Sequence, residues 1–128
     1  MPRWLTRRLG SMEFDRFTIA LLLRREDAPA ISEAEEDALQ DAHLAHLASL
    51  HDSGKLVAAG PVRGPEERIL RGFSIFTVEP EEALALHADD PAVQAGRYRL
   101  EAYAWMVPRG AVSFGDATFP RSAAEALA

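Results

Sequence analysis

Residues 32–54 carry the pattern that most constrains the fold, because they define one long helix together with both of its ends. Ser32-Glu33-Ala34-Glu35 is a capping-box sequence, in which the serine and the second glutamate each bind a backbone N–H group at the helix start. Helical spacing continues to Asp52, and Gly54 then supplies a residue that readily adopts the left-handed conformation of a helix stop. The segment therefore predicts a long first helix.

The segments around this helix predict four strands and a second helix. Runs rich in branched and aromatic side chains indicate strands at 17–23, 56–59, 70–78 and 98–107, the second of them closed by Gly60-Pro61. An acidic segment with Pro80 in its first turn predicts a helix over 80–88, and Asp90-Pro91 opens a short helical turn that ends at Gly96. The order β-α-β-β-α-β is typical of an α+β, ferredoxin-like fold with an antiparallel sheet and helices on one face.

The sheet face opposite the helices predicts a second subunit. In an isolated fold of this kind, that face meets water and should be polar. In the first and third strands, however, both alternating sets of positions are apolar: Phe17, Ile19 and Leu21 alternate with Ala20 and Leu22, and Phe73 and Ile75 alternate with Phe76 and Val78. A second copy packed sheet to sheet would cover this surface, so we expect a two-fold homodimer.

Composition places the chain among globular proteins and excludes several functions. With 128 residues, 48% of them hydrophobic and 27% charged, one core can form without disulfides. The net charge is −6 and basic residues lie between acidic ones, so no nucleic-acid partner is expected. The apolar run 17–23 is too short to cross a membrane. The absence of cysteine excludes disulfides and thiolate sites, and it agrees with a cytoplasmic location.

The patterned region divides the chain into three parts. Residues 1–12 are expected to form a disordered N-terminal arm, residues 13–108 the folded domain, and residues 109–128 a C-terminal tail. The tail contains Phe114 and Phe119 among small and polar residues. These two rings either anchor the tail on the surface of the dimer or belong to a loosely ordered segment.

Two residues on different helices are candidates for proton transfer. His43 falls in the apolar stripe of the first helix with Leu39, Leu47 and Leu50, where a half-buried imidazole needs a hydrogen-bond partner. Asp90 precedes a proline at an N-cap position, and a carboxylate that caps a helix still has acceptor sites for an imidazole. A histidine and a carboxylate suit acid–base chemistry, but the same pattern also fits a core histidine and a purely structural cap.

The remaining histidines and the Gly60-Pro61 pair give weaker indications. His46 lies three residues after His43 and could share a metal with it, but no His-Glu-x-x-His arrangement is present, and neither a metal nor a cofactor is predicted. His51 and His87 lie near helix C-termini, where positive charge is favourable, so dipole and surface roles are predicted for them. Gly60-Pro61 is first a turn, although its glycine would also let a ligand approach the backbone closely.

Two runs in the chain resemble the YCII-related (YciI-like) family of small dimeric α+β proteins. One is His43-Leu44-x-x-Leu47 followed by Gly54-x-Leu56-x-x-x-Gly60-Pro61, and the other is Asp90-Pro91-x-Val93-x-Ala95-Gly96. The resemblance extends over roughly residues 14–107 and implies a dimeric α+β barrel. It also implies that His43 is the active-site residue, that Asp90 is its partner and that Gly60 and Pro61 lie beside the pocket. Ala92 departs from the family, which often carries a bulky residue there.

The resemblance implies one reaction type and leaves one alternative. It implies a small enzyme without a cofactor that uses a His-Asp pair for elimination, isomerisation or hydrolysis of a small anionic or carbonyl compound. In this interpretation His43 is the base or acid and Asp90 orients it. The alternative is a non-catalytic, ligand-binding or regulatory dimer, because a fold does not determine a function. Both interpretations include a homodimer and an unknown small-molecule ligand.

Overall fold

Four strands and two main helices follow one another along the chain in the predicted order β-α-β-β-α-β. The structure, a computed structural model, describes residues 12–128, so the expectations for residues 1–11 lie outside it. The strands are β1 (Phe14–Arg24), β2 (Leu56–Pro61), β3 (Leu70–Phe76) and β4 (Tyr98–Pro108), and the helices are α1 (Glu33–Asp52), α2 (Pro80–Ala88), α3 (Pro91–Gln94) and α4 (Ala123–Leu127). The predicted α+β, ferredoxin-like fold is confirmed. None of the described helices has the length and apolar character needed to cross a membrane.

All neighbouring strands are antiparallel, and β1 lies in the middle of the sheet. The strand order is β2-β3-β1-β4. Near the end of β1, Leu23 pairs with Leu70 on β3 and with Arg99 on β4, while Pro61 at the end of β2 pairs with Gly72. The last residues of β1 and β2 and the first residues of β3 and β4 therefore meet at one end of the sheet, which we call the Leu23 end.

Local sequence signals determine both ends of α1. The Ser32 hydroxyl accepts a hydrogen bond from the Glu35 N–H at 3.1 Å, and the Glu35 carboxylate accepts one from the Ser32 N–H at 3.5 Å, so the predicted capping box is present. After the helix, Gly54 has a φ of +80°, a conformation that costs a residue with a Cβ additional free energy. These two ends place His43 near the middle of the helix.

The core lies between the helices and one face of the sheet. Its buried cluster combines residues of β1, α1, β2, β3 and α2, namely Ala20, Leu47, Leu50, Leu56, Phe76 and Ala83. Strand β3 ends at Phe76, earlier than the predicted 78, and the Val78 carbonyl instead accepts a hydrogen bond from the buried Thr18 hydroxyl at 2.5 Å. The helices therefore bury alternate residues of the strands, as expected for an α+β fold.

The opposite sheet face is apolar on β1 and β3, as the pattern of these two strands predicts. Ile19 pairs with Ile75 on one side and with Tyr103 on the other, and Leu21 pairs with Phe73. Tyr103 is 49% exposed and Phe73 is 37% exposed, which is high for large aromatic residues in a sheet. This surface, which we call the open face, would lose much of its contact with water if a second copy packed against it.

The C-terminal tail packs against α1 and one end of the open face. The ring of Phe114 meets that of Phe17 edge-to-face at 5.3 Å, and the ring of Phe119 stacks on His51 at 4.0 Å. The N–H at the start of α4, on Ala123, donates to the carboxylate of Asp41 at 2.8 Å. Both aromatic rings of the tail therefore serve as anchors, and the Phe119 ring does so on the domain's own first helix.

Candidate active site

The structure brings His43 and Asp90 together although they lie 47 residues apart in the sequence. His43 Nδ1 is 2.5 Å from Asp90 Oδ2, and Asp90 Oδ1 accepts a hydrogen bond from the Ala92 N–H at 2.9 Å as the N-cap of α3. The Asp90 side chain is fully buried, while that of His43 is 17% exposed. One carboxylate therefore caps a helix and holds an imidazole at the same time, as its spare acceptor sites allow.

The partner of Nδ1 determines which nitrogen of His43 can act as a base. An ionised carboxylate only accepts hydrogen bonds, so Nδ1 carries the proton and donates it to Asp90. The other nitrogen, Nε2, then has the free lone pair, and His43 forms part of the wall of a cavity. This arrangement leaves an oriented proton acceptor beside a space that a small molecule can enter.

His87 is a third member of this cluster that sequence reasoning missed. It is 1% exposed, its Nδ1 lies 3.8 Å from Asp90 Oδ2, and within residues 12–128 that nitrogen has no hydrogen-bond partner. Burial lowers the pKa of His87 below that of an exposed imidazole, and the nearby Asp90 carboxylate opposes this shift more weakly. The predicted surface role is therefore wrong, because the last turn of α2 faces the core. The sequence does contain an indication of this burial, because His87 lies four residues after the buried Ala83 and therefore on the same face of α2.

The other two histidines are engaged elsewhere. His46 Nε2 is 3.0 Å from the Leu86 carbonyl oxygen, so it does not join His43 in a shared site. His51, in the last turn of α1 as predicted, has its two ring nitrogens 2.7 Å and 3.1 Å from the carbonyl oxygens of Leu56 and Ala117. In the part of the chain that the structure describes, no group of three or more His, Cys, Asp or Glu residues is arranged to hold a metal ion.

A cavity of about 670 Å³ adjoins His43. This volume lies within the range of about 300–1,000 Å³ that is usual for small-molecule sites. Leu39 and Leu47 of α1 form one wall, the strands of the sheet form another, and the tail from 117 to 127 contributes a third. The structure places Gly60 and Pro61 in the wall as well, where a Cβ added to Gly60 would meet no described atom within 4 Å.

Ala92 also lines this cavity, next to the cap that it completes. Its side chain is buried, with 5% of the residue exposed. Because Ala92 lines the cavity, a bulky residue at this position would occupy space that the alanine leaves open. The departure of this residue from the family pattern therefore affects the shape of the cavity and leaves the N-cap intact.

Comparison with known proteins identifies the family. The chain belongs to the YCII-related domain family, whose model matches residues 19–105. This match contains both His43 and Asp90, and it ends before the tail that forms part of the cavity wall. A search of curated proteins found no significant match.

Two solved structures are similar to the chain. One is 5-chloro-2-hydroxyhydroquinone dehydrochlorinase (TftG) from Burkholderia phenoliruptrix AC1100 in complex with 2,5-dihydroxybenzoquinone, with 21% identity, a TM-score of 0.52 and coverage of 70% of this chain and 92% of that one. The other is a dimeric protein of unknown function with a ferredoxin-like fold from Bacteroides fragilis NCTC 9343, with 14% identity, a TM-score of 0.44 and coverage of 75% and 99%. At this level of identity, the first similarity supports the fold.

Proposed function

We propose that the protein is a small acid–base enzyme in which His43 transfers a proton to and from a bound substrate and Asp90 orients and stabilises it. The observation that carries this proposal is the 2.5 Å contact between His43 Nδ1 and Asp90 Oδ2 at the wall of the cavity. A buried carboxylate in contact with an imidazole stabilises the imidazolium that forms when the ring takes a proton. Substrates that fit this chemistry have a C–H bond made acidic by a neighbouring carbonyl group.

The proposed step balances without an added oxidant or reductant. His43 Nε2 takes the proton of the acidic C–H bond, and the electron pair of that bond moves toward the carbonyl group to form an enolate. In an elimination the pair then expels a leaving group, and in an isomerisation the imidazolium returns the proton to another carbon. In both cases Asp90 remains ionised, because its task is to hold the Nδ1 proton and offset the positive charge.

One similar structure supports this direction. The protein from Burkholderia phenoliruptrix is described as a dehydrochlorinase, and its bound 2,5-dihydroxybenzoquinone is a small ring compound with carbonyl groups. Removal of hydrogen chloride is an elimination, which is one of the outcomes open to the proposed site. We therefore propose small carbonyl compounds and hydroxylated quinones as the first substrates to test.

Exchange of substrate hydrogens with solvent deuterium tests the proposal directly. Wild type, His43→Gln and His46→Gln are incubated in D₂O with a panel of small ketones, keto acids and hydroxyquinones, and ¹H NMR measures the loss of C–H signal. His46 is the matched control, because it lies on the same helix and its Nε2 is bound to the Leu86 carbonyl. We expect wild type and His46→Gln to accelerate exchange in at least one compound and His43→Gln to be inactive.

Two other outcomes decide against the proposal. Equal exchange rates with wild type and His43→Gln would show that His43 is not the base. A compound that binds the cavity but exchanges no hydrogen at any pH between about 5 and 9, the range in which imidazole changes charge, would favour the non-catalytic ligand-binding module.

We also propose that the open face is the interface of a homodimer. The pairs Ile19–Ile75, Ile19–Tyr103 and Leu21–Phe73 form an apolar patch opposite the helices, bordered on β4 by Glu101, which pairs with Leu21. Sedimentation should give a species of about twice the chain mass of 14.1 kDa. Ile75→Lys should shift it toward the monomer, whereas the exposed helix substitution Ala45→Lys should leave it unchanged. A wild-type monomer at micromolar concentration would refute the interface.

A further inference from the structure

Two arginines reach the cavity from the Leu23 end of the sheet. Arg71 lies on β3 and Arg97 immediately precedes β4, and both line the cavity that contains His43. Because β3 and β4 flank β1 on opposite sides, the two residues are about two strand spacings, roughly 10 Å, apart across the strands. Arg71 lies beside Leu22 and Leu23, and Arg97 lies one residue beyond Tyr98, which pairs with Arg24, so the two are also offset by about 8 Å along the strands. Because both residues line one cavity, their side chains can contact the same small molecule from two sides.

Both guanidinium groups are held by backbone carbonyl groups. Arg71 Nε and Nη2 donate to the carbonyls of Arg68 and Glu66, each at 3.1 Å, and Arg97 Nη1 donates to the carbonyl of Pro29 at 3.0 Å. Carbonyl oxygens fix the orientation of a guanidinium without cancelling its charge. Each group keeps further N–H donors, since a guanidinium has five.

Five of the ten described arginines pair with a carboxylate, and Arg71 and Arg97 belong to the five that do not. Of these five, Arg71 and Arg97 are the two that line the cavity. Arg99 pairs with Glu101 at 2.5 Å and Arg109 pairs with Glu13 at 2.6 Å. Within residues 12–128, no carboxylate lies within 4.0 Å of the side-chain nitrogens of Arg71 or Arg97. The cavity wall thus contains two fixed positive charges whose counter-ion is not supplied by the described part of the chain.

The rest of the cavity defines the body of the ligand. Leu22, Leu39, Leu44, Leu47 and Phe119 make most of the wall apolar. Glu36 is the one carboxylate that the described residues contribute to this wall, and it lies in the first turn of α1, where the helix dipole favours a negative charge. An apolar space with cationic groups at one end fits a ligand with an apolar ring or chain and a terminal anion.

We infer that the substrate is an apolar organic acid whose carboxylate binds between Arg71 and Arg97, with its apolar part directed toward His43. This inference rests on the proposed function, because it takes the cavity to be the substrate site. Guanidinium groups bind carboxylates through parallel N–H donors, so the two arginines set both the charge and the orientation of the ligand. The carboxylate then serves as an anchor at a distance from the bond that reacts.

Binding of a charged probe and its neutral counterpart tests this subsite without any reaction. The probes are 2-naphthoate and 2-naphthamide, which have nearly the same shape and differ in charge. Titration calorimetry and NMR shifts are recorded for wild type, Arg71→Gln, Arg97→Gln and the control Arg109→Met, whose guanidinium pairs with Glu13. Glutamine keeps a donor for the carbonyl groups while removing the charge, and thermal unfolding verifies that each variant is folded.

We expect wild type and Arg109→Met to bind the carboxylate about 10- to 100-fold more tightly than the amide. Arg71→Gln and Arg97→Gln should each remove most of this preference while leaving amide binding unchanged. Added salt should weaken only the carboxylate, which provides a second measurement on wild type alone. His43→Gln should keep the full preference, so a failure of the proposed catalysis does not alter this result.

Equal affinities of wild type for the two probes would overturn the inference. So would a preference that survives in both glutamine variants, or the absence of carboxylate binding up to roughly 20 mM, which is weaker than any specific anion site would be.

Discussion

Replacing Asp90 with Asn should reverse the tautomer of His43 while leaving the fold in place. The asparagine would keep the cap, because its side-chain oxygen can still accept the Ala92 N–H that Asp90 Oδ1 accepts at 2.9 Å. Its NH₂ group then points at His43 Nδ1 in place of the carboxylate oxygen that now lies at 2.5 Å. An N–H donor facing Nδ1 requires Nδ1 to be unprotonated, so the ring proton moves to Nε2. The nitrogen that faces the cavity then has no free lone pair and cannot act as a base.

The expected loss of rate follows from the charge that Asp90 supplies. Two unit charges about 4 Å apart in a partly buried site attract each other by about 4 kcal/mol at an effective dielectric constant of about 20. Since each 1.36 kcal/mol corresponds to about a factor of ten in rate, removing the carboxylate should slow proton transfer by about 10³-fold. The neighbouring Asp89 is exposed, so Asp89→Asn removes the same formal charge without touching the imidazole.

Two measurements test this reasoning in parallel. The ¹⁵N shifts of the His43 ring report which nitrogen carries the proton, and deuterium exchange in the best compound from the panel reports the rate. We expect Asp90→Asn to change both, Asp89→Asn to change neither, and both variants to unfold near the wild-type temperature. A His43 ring with the same tautomer and the same exchange rate in Asp90→Asn would refute the partnership, and His43 would then be a satisfied core histidine.

Three further predictions concern stability and the tail. Burial lowers the pKa of His87, so the unfolded chain binds a proton on this residue at a higher pH than the folded chain does. The free energy of unfolding should therefore fall as the pH drops below about 6.5, by up to 1.36 kcal/mol per pH unit. Urea unfolding should show a shallower pH dependence in His87→Leu. Gly54→Ala should lower the free energy of unfolding by about 1 kcal/mol, because φ is +80° at this position. Gly60→Ala should unfold like wild type, because Gly60 has open space for a Cβ and no positive φ. Equal thermal unfolding midpoints for the two variants would contradict this. Phe119→Ala removes the ring stacked on His51 at 4.0 Å, so limited proteolysis should cut the tail near residues 117–121 faster than in wild type, and an unchanged rate would show that the stack does not hold the tail.

Features encoded by neighbouring residues could be predicted from the sequence. The capping box of Ser32 and Glu35 and the left-handed Gly54 require only a few adjacent side chains, and they fix α1 and hence the position of His43. The cap formed by Asp90 is local in the same sense. The contact of that carboxylate with His43 is tertiary, and only the family resemblance singled it out over a structural cap.

Features that depend on how distant elements face each other could not be predicted. The burial of His87 follows from the side of α2 that meets the sheet, and its position near a helix end gave the opposite expectation. The same holds for Arg71 and Arg97, since their place in one cavity wall and their lack of a carboxylate partner both depend on how distant elements pack. In both cases the sequence does not show whether residues far apart in the chain are in contact.

The residues proposed for proton transfer lie within the family match, whereas part of the cavity wall that limits the choice of substrate lies in the tail. His43, Asp90, Arg71 and Arg97 all lie within residues 19–105, whereas the cavity wall from 117 to 127 lies beyond them. The tail is attached through Phe119 on His51 and the Ala123 N–H on Asp41, whereas the Asp90 carboxylate is bound by His43 and the Ala92 N–H. A change in the tail can therefore alter which ligand fits without disturbing the imidazole and its carboxylate. We expect relatives with different tails to keep the same proton transfer and to differ in the size and shape of the acid they accept.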